Sequence, residues 1–171
     1  KGNVVSPSEI MGRWGVDVCR LAMLFFAPSG DENKWKEEAL IGAHRFVSRL
    51  WNLLEGLAPA VAGVAAGPSE AYRPLRRKLH QLIARMDGAS EDALNFNTVI
   101  AQVMELLNVY DGLKPEPKTD DERRALREFA EGLARVLAPL APFLGEEFWE
   151  RLGGKGSVFR AGWPAYDPEA A

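Results

Sequence analysis

Apolar residues recur at every third or fourth position along most of this chain, which is the spacing of an amphipathic α-helix. Short stretches rich in proline, glycine and polar residues separate the apolar segments. The chain ends in an extended tail, and the sequence just before it predicts one short edge strand around Val158–Arg160. The pattern predicts seven helices, at about residues 7–14, 16–27, 35–57, 70–86, 90–112, 120–138 and 142–152.

Two of the helix starts carry a capping-box signature, in which a Ser or Thr lies three residues before a Glu. Ser6 and Glu9 form the first pair, and Pro7 between them suits the first helical position. Thr119 and Glu122 form the second pair. We therefore expect both hydroxyls to accept a hydrogen bond from a backbone N–H group of the first turn.

Each longer helix carries one apolar stripe that we expect to face a shared core. No alternating strand pattern competes with these stripes over most of the chain. The sequence therefore predicts an all-α antiparallel helical bundle with a small irregular appendage at each end. The stripes comprise Leu40, Ala43, Val47, Leu50, Trp51 and Leu54; Leu75, Leu79, Leu82 and Met86; Phe96, Val99, Ile100, Val103, Leu106, Leu107 and Tyr110; and Leu126, Phe129, Ala130, Leu133 and Leu137.

Composition is ordinary for a globular protein, with 47% hydrophobic and 26% charged residues. No apolar run approaches the ~20 residues that span a bilayer, so we expect no membrane partner. The single cysteine, Cys19, cannot form an intrachain disulfide, which favours a reducing compartment. Cys19 lies in the most apolar helix, and we interpret it as a packed structural residue.

The charge is unevenly distributed. Residues 1–86 contain 12 Lys/Arg against 8 Asp/Glu, whereas residues 87–171 contain 9 against 16. Arg45 and Arg49 lie one turn apart on the third helix, and the fourth helix carries basic but no acidic side chains between Tyr72 and Met86. Such spacing lets cations reach successive phosphates of a nucleic acid. The alternative is surface ion pairing, for which Glu38 lies on the same face as Arg45 and Arg49. The predicted phosphate contacts are Arg45, Arg49, Arg77, Lys78 and Arg85.

Enzyme chemistry is scarce in this sequence. It has no glycine-rich phosphate loop, and no Ser or Cys has an evident base partner. His44 and His80 lack a neighbouring carboxylate cluster in sequence, and we interpret His44 as a packed, hydrogen-bonded side chain. Two histidines and one cysteine, widely spaced, give no zinc-site pattern. We expect no catalytic residue and no metal site in this chain, and Trp163 in the tail is the aromatic residue whose burial is hardest to judge.

Several segments resemble class I aminoacyl-tRNA synthetases, in the same order along the chain. The first looks like the residues directly after the KMSKS loop of that family, and the "GAHRF…RLW" helix is similar to that of the leucyl enzymes. Isoleucyl and valyl enzymes usually have Leu where this chain has Lys1. Ser6 departs from the usual Asp, and Lys36 from a usual Ser or Thr. The segments are "KGNVVSP", "GVDVCRLAMLFFAP", "GAHRFVSRLWNLL", "LRRKLHQLIARM", "LNFNTVIAQVMELLN", "LAPLAPFLGEEFWERLG" and "GWPAYD".

The resemblance implies that the chain has three segments and that catalysis and editing belong to other parts of the enzyme. Residues 1–33 would form the connecting segment after the KMSKS loop, 34–152 the helical anticodon-binding bundle, and 153–171 a tail toward a C-terminal domain. ATP with Mg²⁺, the amino-acid chemistry and editing would belong to other parts of a cytoplasmic leucine-tRNA ligase, so the chain alone would be inactive and hold no cofactor.

Two roles follow from the resemblance and stay open at this stage. The bundle would dock on the backbone of leucine tRNA through the five basic residues named above. Alternatively, it would serve mainly as a scaffold that packs on the catalytic and C-terminal domains of the same enzyme. The equivalent domain of an isoleucyl or valyl enzyme is the remaining alternative.

Overall fold

Helices account for nearly all regular structure in the computed structural model, which describes residues 6–26, 37–87 and 95–170. The all-α helical bundle expected from the sequence is confirmed in the described part of the chain. Within the described ranges there is no β-strand, and no helix is long and apolar enough to cross a membrane. The helices are α1 (Pro7–Trp14), α2 (Val16–Phe26), α3 (Glu37–Ala60), α4 (Arg73–Asp87), α5 (Phe96–Leu113), α6 (Asp120–Leu137) and α7 (Pro142–Arg151), followed by a 3₁₀ turn at Val158–Arg160.

Helix α6 forms the centre of the bundle. It packs against α7, α4 and α3, while α2 packs against α3 and α5, and α4 against α5. The predicted α6 stripe is confirmed, because each of its residues is at most 1% exposed. A helix is buried to this extent when other helices cover it on several sides. The stripe residues are Leu126, Phe129, Ala130, Leu133 and Leu137.

The α3 stripe differs from the predicted one. Leu50 and Leu54 are fully buried as expected, but Trp51 is 38% exposed. The Arg151 guanidinium lies 4.6 Å from the Trp51 ring and covers it at the surface. Phe46, Leu53 and Leu57 are buried in place of the predicted Val47 and Trp51, so the core face is rotated around the helix. Helix α3 extends beyond the predicted end at residue 57 to Ala60, so Pro59 lies inside it.

One of the two predicted capping boxes is present. Thr119 Oγ1 accepts from Glu122 N at 3.2 Å, and the Glu122 carboxylate accepts from Thr119 N at 2.9 Å. The box at Ser6 is absent, because the Glu9 N–H donates to the Ser6 backbone carbonyl at 3.2 Å and the Ser6 side chain makes no cap hydrogen bond. The predicted start of α5 at residues 90–92 lies outside the described residues.

The start of α7 is capped by a residue from a distant helix. Asp17 of α2 is only 8% exposed, and its carboxylate accepts from Leu144 N at 2.7 Å and Phe143 N at 3.4 Å. The residue before α7 is Ala141, which has no side chain able to cap. Burial raises the pKa of the Asp17 carboxyl despite these two hydrogen bonds. This contact fixes α7 against α2.

The predicted edge strand at Val158–Arg160 is wrong, because this segment is a 3₁₀ turn. Ser157 supplies two acceptors at the start of the turn: its Oγ accepts from Phe159 N and its carbonyl accepts from Arg160 N. The Val158 N–H donates to the Glu146 carboxylate at 3.0 Å. Since these donors are satisfied locally and by α7, no ladder partner is required.

Candidate nucleic-acid interface

The five predicted phosphate contacts lie on α3 and α4, on either side of α5. Helix α5 packs against α4, and it borders a groove whose opposite wall is α3. Arg45 and Arg49 belong to α3, and Arg77, Lys78 and Arg85 belong to α4. The structure therefore brings the two basic helices of the sequence analysis to neighbouring positions.

Arg49 is held by α5 rather than by Glu38. Its Nη2 lies 2.6 Å from Asp111 Oδ2 and 2.8 Å from Asn108 Oδ1, and its Nε lies 3.1 Å from the same Asp111 oxygen. The Arg49 side chain is 34% exposed and that of Asp111 59% exposed. Pairs this exposed contribute at most about 1 kcal/mol, so a phosphate group is able to compete for the guanidinium.

Lys78 is also paired with α5. Its ammonium forms an ion pair with the Glu105 carboxylate, and the Lys78 side chain is 28% exposed. The sequence could not identify these partners, because they lie on a helix that is distant in sequence. Two of the five predicted cations are therefore neutralised by carboxylates that lie beside α3 and α4.

Arg45, Arg77 and Arg85 are the cations that remain available. All three are exposed, and none forms an ion pair or hydrogen bond with another residue in the described part of the chain. The exposure of Arg77 shows that its side chain points away from the core. Guanidinium groups without an internal partner are the side chains best suited to phosphate oxygens.

The remaining basic residues of α4 do not join this set. Arg73 is an exposed residue paired with Glu70. Arg76, counted in the sequence as part of the basic face, is only 9% exposed and points into the bundle. It donates to the Glu128 carboxylate and to the Ser69 carbonyl. The basic face of α4 is thus narrower than the sequence suggested.

His80 belongs to the same buried network, which the sequence analysis missed. Its Nε2 lies 3.1 Å from Glu128 Oε1, and its Nδ1 accepts from Asp167 N at 3.2 Å. Since Nδ1 accepts, the neutral ring carries its proton on Nε2 and donates to Glu128. The Glu128 carboxylate comes from α6, 48 residues away in sequence, so the absence of a carboxylate cluster next to His80 in sequence did not reveal it. The signal in the sequence was the i, i+4 spacing of Arg76 and His80 beside the apolar stripe of α4.

Two surface grooves flank α5. The larger has a volume of about 470 Å³ and separates α3 from α5. The smaller, about 240 Å³, lies between α4 and α5 and includes Arg77 and Lys78. Both combine basic side chains with apolar ones, a lining suited to a sugar-phosphate backbone and its bases. The larger groove is lined by Arg45, Ser48, Arg49, Asn52, Leu53, Gly56, Leu107, Tyr110 and Asp111.

Three other candidates from the sequence have clear positions. Cys19 is buried as predicted, and burial raises the pKa of its thiol. His44 is exposed, so the prediction of a packed histidine is wrong, although its ring centroid lies 5.6 Å from that of Trp14 with the planes at 71°. Trp163 is 40% exposed. Among the residues that the structure describes, no three His, Cys, Asp or Glu side chains converge as metal ligands.

A family model and individual proteins of known function are both similar to this chain. Residues 73–171 match the family model described as the anticodon-binding domain of tRNA ligase. The chain is 40% identical over 175 residues to the leucine--tRNA ligase of Thermotoga maritima, and 35% identical over 175 residues to that of Geotalea uraniireducens. These alignments cover 99% and 100% of the chain, which spans 21% of each relative's length.

A solved structure has the same fold. The chain superposes with a TM-score of 0.83 on the ternary complex of Agrobacterium radiobacter K84 agnB2 LeuRS with tRNA and LeuAMS. The match covers 99% of this chain and 22% of that one, at 24% sequence identity. The helical arrangement is therefore shared along essentially the whole length of the chain.

Proposed function

The chain belongs to the anticodon-binding domain family of tRNA ligases, and from this membership we propose that it binds tRNA as one domain of a leucine–tRNA ligase. Identities of 35–40% along 99–100% of the chain support the leucyl specificity. Lys1, where isoleucyl and valyl enzymes usually have Leu, favours the same assignment over those two relatives. In the complete ligase, leucine, ATP and Mg²⁺ would be bound elsewhere, and the protein would act in the cytoplasm.

The proposed role of the bundle is to hold the sugar-phosphate backbone of leucine tRNA. The observation that carries it is the exposure of Arg45, Arg77 and Arg85 without an internal partner among the described residues. Arg49 and Lys78 would add contacts by exchanging the carboxylates of α5 for phosphates. Contacts of this kind orient a nucleic acid without reading its sequence.

A salt series tests this proposal directly. Three to five phosphate contacts predict that log K falls against log[salt] with a slope between about −2 and −4.5. The double variant Arg45→Ala and Arg77→Ala in the full-length protein should weaken tRNA binding and make the slope shallower by about 1.5. Formation of leucyl-adenylate should be unchanged, since the two arginines serve only the tRNA.

The matched control is Lys155→Ala with Arg160→Ala, which removes the same charge from exposed positions outside α3 and α4. The proposal fails if tRNA affinity is insensitive to salt, or if the control variant loses as much affinity as the first. Aminoacylation assays separately test the amino-acid assignment. The full-length protein should charge leucine tRNA with leucine, and it should not charge isoleucine tRNA with isoleucine or valine tRNA with valine.

A scaffold role is the second candidate function, and exposed apolar side chains favour it. Met23 on α2 is 56% exposed, and Phe143 at the start of α7 is 68% exposed. The Asp17 cap joins these two helices. Large apolar side chains this exposed are suited to packing on another domain. Changing Met23 and Phe143 to Ser should then lower aminoacylation in the full-length protein while leaving tRNA affinity unchanged.

A further inference from the structure

Residues 158–170, which we call the strap, are attached to the bundle at two separate points. At the first point, the Glu146 carboxylate of α7 accepts from Val158 N at 3.0 Å, and the 3₁₀ turn packs on α6 and α7. At the second point, the Asp167 N–H donates to His80 Nδ1 of α4 at 3.2 Å. The strap therefore crosses the bundle from α7 to α4.

The far end of the strap is attached through Asp167. After Ala161, the backbone N–H groups that donate hydrogen bonds within the described part of the chain are those of Asp167, Glu169 and Ala170. The Glu169 and Ala170 N–H groups donate to Asp167 itself, so they fold this end without joining it to the bundle. Among the described residues, the hydrogen bond to His80 is thus the backbone contact that holds the end of the strap on α4.

The protonation state of the His80 ring decides whether this contact exists. Nδ1 accepts from the strap, while Nε2 lies 3.1 Å from Glu128 Oε1 of α6 and donates to it. A second proton would make both ring nitrogens donors, so that an N–H on Nδ1 would face the N–H of Asp167. Two donors form no hydrogen bond with each other, whereas the contact to Glu128 is the same in both states. Protonation therefore acts on the strap rather than on α6.

The burial of His80 adds to this incompatibility. The residue is only 3% exposed while the strap is in place. A proton added to Nδ1 would then be a buried donor without an acceptor, which carries the full cost of its lost hydration. When the strap lifts, water can accept from this nitrogen. The detached state therefore binds the second proton more readily than the attached state, and acidification shifts the population towards detachment.

We propose that His80 is a pH-dependent latch, which holds the strap on α4 while its ring is neutral and releases the strap when its ring is protonated. Histidine is the side chain that ordinarily changes charge between about pH 5 and 8, so such a latch would respond to physiological changes in acidity. The inference rests on the fold and is independent of the proposed tRNA-binding function. It assigns a role to a buried histidine that this function does not use.

Charged groups face the His80 ring from three elements. Arg76 lies one turn earlier on α4, Glu128 lies on α6 and Asp167 lies on the strap. Burial opposes ionisation of the Glu128 carboxyl, but hydrogen bonds from His80 and Arg76 outweigh it and lower its pKa below the ordinary 4.5. Glu128 therefore stays charged over the range in which histidines titrate. Further charges on the surrounding elements include Glu70 paired with Arg73, Glu105 paired with Lys78, Arg127 paired with Glu131, and the exposed Arg124.

Hydrogen exchange in the full-length protein tests the latch. Protection of the Asp167 amide, corrected for the effect of pH on intrinsic exchange, should fall about fivefold from about pH 7.5 to about pH 5.5, the factor expected for loss of one hydrogen bond. Hydroxyl-radical footprinting should show faster oxidation of His80 at the lower pH, because the lifted strap no longer covers the ring. Constant protection of the amide would overturn the proposal. Unchanged oxidation of His80 would overturn it as well, since the Asp167 carboxylate would then have turned to accept the new proton and kept the strap in place.

Two substitutions separate the roles of the two ring nitrogens. His80→Asn places an amide oxygen near the position of Nδ1 and cannot titrate, so the Asp167 amide should stay protected at both pH values. His80→Gln places its amide N–H group near Nε2 and leaves no acceptor at Nδ1, so protection should be low at both pH values. His44→Asn changes the exposed histidine of α3 and should retain the wild-type response. A wild-type response in His80→Asn would show that another group is the latch.

A measurement on the wild-type protein decides the case in which the His80 variants do not fold. Exchange of the imidazole C2 hydrogen of His80, followed by mass spectrometry, gives the pH midpoint at which this ring is protonated. That midpoint should coincide with the midpoint at which the Asp167 amide loses its protection. Different midpoints, or loss of protection without a titration of His80 in the same pH range, would overturn the assignment of His80 as the latch.

Discussion

The Glu128 carboxylate lies directly against the Arg76 guanidinium, with Oε2 2.5 Å from Nε and Oε1 3.2 Å from Nη2. The same Oε1 is 3.1 Å from His80 Nε2. Asp167 completes the group, since its N–H donates to His80 Nδ1 and its carboxylate lies 3.7 Å from Arg76 Nη2. One buried network therefore joins α4, α6 and the C-terminal tail.

Glu128→Gln should destabilise the protein by about 3 kcal/mol at pH 7, because it leaves the buried Arg76 charge without its main partner. The thermal unfolding temperature should fall by roughly 6–12 °C for a chain of this size. Glu150→Gln, at an exposed position on α7, is the control and should change stability by less than about 0.5 kcal/mol.

The difference between wild type and Glu128→Gln should depend on pH. Burial opposes ionisation of the Glu128 carboxyl, but hydrogen bonds from His80 and Arg76 outweigh it and lower its pKa below the ordinary 4.5. A carboxyl whose pKa is lowered in the folded state stabilises above its unfolded pKa and loses that contribution on acidification. The gap between the two unfolding curves should therefore narrow below pH 4.5, and a constant gap would contradict this.

The two predicted capping boxes should respond differently to alanine. Thr119→Ala should cost about 1 kcal/mol, because it removes the acceptor of the Glu122 N–H. Ser6→Ala should cost almost nothing, since the Ser6 hydroxyl makes no cap hydrogen bond. Urea unfolding of both variants provides the comparison. Equal losses would mean that the Ser6 cap forms in solution.

Two helical glycines make a second matched pair. Gly145 on α7 packs closely on the end of α6, where an added Cβ would lie 2.8 Å from Ala138 Cα. Gly42 on α3 is exposed, and a Cβ there would meet nothing within 4 Å. Gly145→Ala should destabilise by about 1–3 kcal/mol, whereas Gly42→Ala should stabilise by up to about 1 kcal/mol. Differential scanning calorimetry should show melting shifts of opposite sign.

The sequence was sufficient for the helices and for most of the core, because both depend on local periodicity. The α6 stripe and the Thr119 box are confirmed, since each uses residues within one helix. The edge strand at Val158–Arg160 was wrong because its N–H donors are taken by Ser157 and Glu146. A local propensity for strand cannot form a strand where no ladder partner exists.

The candidate interface was harder to predict, because ionic partners are set by packing rather than by spacing. Arg76 and Arg77 are adjacent in sequence, yet one is buried against Glu128 and the other is exposed. Likewise Arg49 is held by Asp111, which lies 62 residues away. The sequence identified which helices are basic but not which of their cations are available to a ligand. The domain boundaries at 33/34 and 152/153 stay predictions.

The contrast between free and paired cations gives the last prediction, for the neighbours Arg77 and Lys78. Arg77→Ala should weaken tRNA binding about three- to tenfold and make the salt slope shallower by about 0.7–0.9, the value of one phosphate contact. Lys78→Ala should have at most half that effect, because its ammonium must first leave Glu105. Conversely, Glu105→Gln should strengthen tRNA binding, because it releases Lys78 from its ion pair. Glu150→Gln changes the net charge by the same amount as Glu105→Gln, so it shows how much of that gain is non-specific. Filter binding of a leucine-tRNA transcript between 50 and 200 mM salt, about the range over which such contacts are resolved, measures all four variants. Equal losses for Arg77→Ala and Lys78→Ala would show that the ion pair with α5 does not limit access to phosphate.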